Sequence, residues 1–121
     1  MASGKILVVD DSPTELSLTR NALMGNGFQV LTAADGEEAL LLAASEHPDL
    51  ILLDVILPKK NGFQVCRQLK TAEDTREIKI VLVTSRTQDS DRFWGSKQGA
   101  DGYLTKPFRE EDLLAAVERH F

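Results

Sequence analysis

Three four-residue runs in this chain are apolar at every position: Ile6-Leu7-Val8-Val9, Leu50-Ile51-Leu52-Leu53 and Ile80-Val81-Leu82-Val83. A strand with one wet face alternates apolar and polar residues, so unbroken apolarity at this length predicts strands buried on both faces. That burial arises when helices cover both sides of a parallel sheet. Two mixed runs, Phe28 to Thr32 and Gly102 to Thr105, predict the edge strands. Between the strands lie helix-length segments. The first opens with Ser12 as N-cap and Pro13 at the first helical position, and ends near Gly25 and Gly27. The second runs over 36–46 and stops before Pro48, and the third covers 62–72. The fourth covers 88–98, and the fifth runs from Glu110 to the C-terminus. Strict alternation with three apolar central strands predicts an α/β fold, a doubly wound (βα)5 open parallel sheet of order 2-1-3-4-5.

A length of 121 residues suits one domain, expected to fill 1–121 without a separate effector domain. The single Cys66 excludes an internal disulfide and a Cys-rich zinc site, and fits a reducing, cytoplasmic location. The longest apolar stretches fall far short of the about 20 residues a membrane span needs, so no membrane insertion is expected. A formal charge of −5 with one Lys-Lys pair, Lys59-Lys60, argues against direct nucleic-acid binding.

In sheets of this kind the ligand site lies beyond the carboxyl ends of the strands where strand order reverses, here between the first and third strands. The residues at those ends are Asp10-Asp11 and Asp54. Three converging carboxylates repel one another, and a hard divalent cation held through oxygens relieves this; Mg²⁺ suits few carboxylates plus water and phosphate. The fourth and fifth strands end in Thr84-Ser85 and Thr105-Lys106-Pro107. Thr84 offers a hydroxyl donor, and Lys106 a compact cation able to hold a phosphate oxygen or, at rest, one of the acids. Three carboxylates are balanced by Mg²⁺ and Lys106, so a phosphoryl group on one carboxylate would be stabilised from two sides. The Lys106-Pro107 bond could be either isomer. A carboxylate nucleophile needs no general base, in keeping with His47 and His120 lying away from these strand ends, where they read as surface residues.

Val8-Val9-Asp10-Asp11, Leu53-Asp54 with Pro58 and Gly62 four and eight residues on, Val83-Thr84-Ser85 and Lys106-Pro107-Phe108 together resemble the CheY-like receiver domains of two-component response regulators. The resemblance spans essentially the whole chain. It implies that Asp54 accepts a phosphoryl group from a sensor histidine kinase, a CheA-like kinase being one form. It also implies that Asp11, Asp54 and the Ile56 backbone carbonyl ligate Mg²⁺, with Asp10 acting through water. Thr84 and Lys106 would bind the phosphoryl oxygens. Such a protein is not an enzyme acting on free substrates; it transfers the phosphoryl group to itself and later loses it, with or without a partner phosphatase. Tyr103 occupies the place of an aromatic switch, entering space that Thr84 vacates and biasing a surface of the fourth helix, fifth strand and fifth helix toward a downstream protein target.

In the fourth segment, Phe93 and Trp94 point about 100° apart on a helix, so one of them lies near the surface as a candidate partner contact. Gly95 weakens that helix by about 1 kcal/mol. Phe93-Trp94-Gly95, Gln98-Gly99-Ala100, Tyr103-Leu104-Thr105-Lys106-Pro107, Ser12-Pro13-Thr14-Glu15 and Asn61-Gly62-Phe63-Gln64 are similar to the PilH-type regulators of type IV pilus twitching motility. A phosphate sink or relay receiver in another pathway is the alternative role. Two positions depart from common receivers: apolar Ile56 and Arg86 flank the path of attacking water, which predicts a long-lived phosphorylated state. Other chemistries fit less well. A Mg²⁺-dependent aspartyl-phosphate phosphatase would want Asp-x-Asp where this chain has Asp10-Asp11-Ser12, and a flavin-binding protein would not place acids at its phosphate loop. Cys66 reads as an ordinary helix residue.

Overall fold

A computed structural model describes residues 4–85 and 98–121. It contains β1 (Lys5–Val9), α1 (Pro13–Met24), β2 (Gln29–Ala33), α2 (Gly36–Glu46), β3 (Leu50–Asp54), α3 (Gly62–Thr71), β4 (Lys79–Thr84), β5 (Gly102–Thr105) and α4 (Glu110–Arg119). All five strands are parallel in the order β2-β1-β3-β4-β5, as the apolar runs predict, with the two mixed runs at the edges. All but the last residue of the expected helix at 88–98, and with it Arg86, Phe93 and Trp94, lies outside the described residues.

The apolar runs are continuous because each strand feeds two cores in alternation. Leu7, Val9, Ile51, Leu53, Ile80 and Leu82 face Ala39 and Ala43 of α2 and Val65 and Leu69 of α3. Ile6, Val8, Leu50, Leu52, Val81 and Val83 face Leu23 of α1 and Leu113 and Val117 of α4. Each fully buried aliphatic side chain contributes about 1.5–3 kcal/mol of transfer free energy, so the central strands are the most stabilised part of the molecule.

Local signals set the element ends. Ser12 caps α1, its Oγ accepting from Glu15 N–H at 3.4 Å, with Pro13 following as expected. Asn61 and Gln64 form a reciprocal capping box at the start of α3, at 3.0 and 3.1 Å. At the opposite end of the sheet, Lys70 of α3 pairs with Asp101 at 2.8 Å, while Asp101 also accepts the Ile80 N–H at 2.8 Å. Burial would raise the Asp101 pKa, but the hydrogen bonds from Lys70 and Ile80 hold its carboxyl below the usual carboxylate range. Cys66 is buried inside α3, and that burial pushes its thiol up to about 11, as suits a core residue. His47 is exposed at the end of α2, as expected. His120 is only partly at the surface: its half-buried ring covers Gly102 at the start of β5, where an added Cβ would lie 2.6 Å from Nε2.

Candidate functional site

The strand register builds the site. Val9 pairs with Leu53, so the next residues, Asp10 and Asp54, emerge side by side at the carboxyl edge of the sheet. Thr84 pairs with Thr105 at the ends of β4 and β5, which carries Lys106 round to the same edge. The backbone holds this corner through Lys106 N–H to the Thr84 carbonyl at 2.7 Å and Val55 N–H to the Val83 carbonyl at 3.0 Å. The Lys106-Pro107 peptide is cis.

Asp10, Asp11 and Asp54 each place a carboxylate oxygen within 4.8 Å of the others, the convergence expected from topology. Asp10 and Asp54 are buried and Asp11 is exposed. Asp10 Oδ1 accepts the Ser12 N–H at 2.9 Å, so Asp10 helps open α1 as well as lining the site. Asp54 Oδ1 accepts the Ile56 N–H at 3.2 Å. Lys106 Nζ donates to Asp10 Oδ2 at 2.9 Å and to Asp54 Oδ2 at 3.0 Å. Burial raises the pKa of Asp54 above the usual carboxylate value, against the opposing pull of Lys106. Burial would lower the Lys106 pKa, but its hydrogen bonds to Asp10 and Asp54 prevail and hold it above the ordinary lysine value. Their mutual contact favours the charged form of each.

A third acid also reaches Lys106. Glu15 Oε2 lies 3.2 Å from Nζ, a contact that strand-end reasoning does not reveal. Ser12-x-x-Glu15 has the spacing of a capping box, in which the Glu returns to the N-cap N–H. Here Asp10 takes that N–H, which leaves the Glu15 carboxylate to turn toward Lys106. The spacing of Glu15 five residues after Asp10, on the first turn of a helix that starts at the site, is the only signal in the sequence that could have found it.

A cleft is lined by Asp11, Glu15, Asp54, Ile56, Ser85, Lys106 and Pro107. Ile56 stands at its rim with 62% of its surface exposed. Thr84 is buried at the end of β4, and Tyr103 is half-buried on β5, packed against the core beneath α2 and α3. The structure thus brings together Asp10, Asp11, Asp54, Ile56 and Lys106, with Thr84 on the adjoining strand end. The donor set is hard oxygen throughout, which fits a divalent cation such as Mg²⁺.

Comparison with known proteins gives the same picture. The sequence profile of the family described as "Response regulator receiver domain" matches residues 6–118. Protein PilH of Pseudomonas aeruginosa is 45% identical over 113 residues, 93% of each chain. Some other curated relatives are longer, among them PhoP of Bacillus subtilis and PleD of Caulobacter vibrioides, and the chain spans between a quarter and a half of their length. The chemotaxis protein CheY4 of Vibrio cholerae has the same fold at a TM-score of 0.94 and 34% identity, covering 99% of this chain and all of that one. The receiver domain of a Pseudomonas aeruginosa sensor histidine kinase, TM-score 0.89 and 30% identity over 98% of this chain and 97% of that one, was solved with a magnesium ion coordinated in its active-site cleft.

Proposed function

The chain belongs to the response regulator receiver family, and from that premise we propose that Asp54 is its phosphoacceptor, taking a phosphoryl group from a phosphohistidine of a sensor kinase. The observation that carries the assignment is the placement of Asp54: a buried carboxylate at the end of the central strand β3, open to the cleft and in contact with Lys106. In the transfer, a carboxylate oxygen of Asp54 forms a bond to phosphorus as the P–N bond breaks, and the electron pair leaves on the imidazole nitrogen. The contact with Lys106 favours the ionised carboxylate, and an ionised carboxylate attacks without a proton having to be removed.

Asp11, Asp54 and the Ile56 backbone carbonyl would hold Mg²⁺, with Asp10 assisting through water. When bound, the ion offsets the repulsion among the acids and the charge on the phosphoryl oxygens. Lys106 holds a phosphoryl oxygen from the β5 side, and the Thr84 hydroxyl reaches one from β4. Movement of Thr84 lets Tyr103 change its packing and biases a surface that includes β5 and α4 toward a downstream protein. The resemblance to PilH-type regulators of twitching motility supports a cytoplasmic signalling role in pilus-driven motility, and the 45% identity to protein PilH agrees with that resemblance. The test is labelling by acetyl phosphate in the presence of Mg²⁺. One phosphoryl group per chain is expected on the wild type and none on Asp54→Asn; label on the variant at equal stoichiometry overturns the assignment.

A further inference from the structure

Lysine's ammonium group has three N–H donors. In this structure Lys106 faces three carboxylate oxygens: Asp10 at 2.9 Å, Asp54 at 3.0 Å and Glu15 at 3.2 Å. Every donor is therefore committed, and a phosphoryl oxygen can be held only if one partner is given up. The three partners are not equivalent. Asp10 has a side chain only 9% exposed and is anchored by the Ser12 N–H. Asp54 carries the phosphoryl group itself. Glu15 is 50% exposed, makes the longest of the three contacts, and can return to water on its flexible methylenes at small desolvation cost.

Resting on the assignment of Asp54 as the phosphoacceptor, we propose that Glu15 is a positioning residue: it tethers Lys106 in the unphosphorylated protein and is the partner released when Lys106 takes up the phosphoryl group. Two features of the first turn of α1 make the tether available. The Ser12 N–H that Glu15 would otherwise cap is donated to Asp10, and Ser12 Oγ fixes the Glu15 backbone at the mouth of the cleft. Glu15 therefore opposes phosphorylation by occupying a donor of Lys106 that the phosphoryl group needs. It also raises the barrier to accidental phosphorylation by small donors while leaving Lys106 aimed at the site.

The test is the rate of labelling by acetyl phosphate at saturating Mg²⁺ in wild type, Glu15→Gln, Lys106→Met and the double variant, with Asp54→Asn as the blank. Glu15→Gln is expected to label about two- to fivefold faster, the range spanned by a half-exposed ion pair. In the Lys106→Met background the same substitution is expected to change nothing, because its effect passes through Lys106. An unchanged or slower rate for Glu15→Gln overturns the proposal, and so does an equal acceleration in both backgrounds, which would make Glu15 a through-space charge only. Failure of the underlying reading looks different: an unlabelled wild type, or a labelled Asp54→Asn, removes both. A labelled wild type with a silent Asp54→Asn and no response to Glu15→Gln removes the Glu15 proposal alone.

Discussion

At the cleft rim, Ile56 has the backbone of a participant and the side chain of a bystander. Its N–H holds Asp54 Oδ1, while its apolar side chain lines the cleft with 62% of its surface exposed, where water would approach Asp54 if that carboxylate were phosphorylated. An aliphatic side chain offers that water no hydrogen bond. Ile56→Asn places an amide at the same position, and one added hydrogen bond of about 1 kcal/mol in the transition state corresponds to roughly fivefold in rate. The expected outcome is faster loss of label once free phosphodonor is removed, followed by the decay of phosphorylated protein; an unchanged or slower decay would show that Ile56 does not limit water. Residues at strand ends were readable because each follows a run, apolar in the central strands and mixed before Lys106, that announces its own last position. That is why Asp10, Asp11, Asp54, Thr84 and Lys106 could be named from the sequence. Glu15 could not, because a helix-opening Ser-x-x-Glu reads as a cap, and only the competing Asp10 contact shows that the cap is half replaced.

Elements were legible where the chain carries punctuation. Ser12-Pro13 and Pro48 bound the helices within a residue of where the periodicity places them, and Asn61 opens α3 through its capping box. The pairing of Val9 with Leu53 could not be read, because register depends on two cores interlocking at once rather than on any local residue. The junction of β3 and α3 shows how tightly that assembly grips the site. Gly62 N–H bonds the Val55 carbonyl at 2.8 Å, and a Cβ added at Gly62 would collide with the Asp54 carbonyl and lie 2.8 Å from Val55 Cα. Both obstacles are backbone, so neither can swing aside. Gly62→Ala is expected to destabilise the protein by about 1–3 kcal/mol, as overpacking does, and to slow labelling of Asp54 because the displaced backbone is its own. Urea unfolding and acetyl phosphate labelling check the two parts. A variant as stable and as quickly labelled as wild type would mean that the β3–α3 turn relaxes freely.

Across the whole molecule, the sheet sorts its residues by height: aliphatic side chains fill both cores, and charge collects at the carboxyl edge. Part of the net −5 is concentrated there, with Asp10, Asp54 and Glu15 paired to Lys106 and Asp11 clustered beside Asp10 and Asp54. Like charges gathered in a partly buried site destabilise the fold unless a cation joins them, so site assembly and stability oppose one another in the metal-free protein. A ligand that binds only the folded state adds stability as its concentration exceeds its dissociation constant, about 2.7 kcal/mol at a hundredfold excess. Saturating Mg²⁺ is therefore expected to raise Tm by several degrees over protein in chelator. Asp11 is the sharpest probe, being the exposed member of the cluster. Asp11→Asn removes one repelling charge and one cation ligand together. In chelator its Tm is expected to equal or exceed that of wild type, while its rise with Mg²⁺ should largely vanish. Thermal melts of both proteins with and without Mg²⁺ decide it: an undiminished rise in the variant would place the cation elsewhere, and a lower metal-free Tm would mean that Asp11 supports the fold rather than straining it.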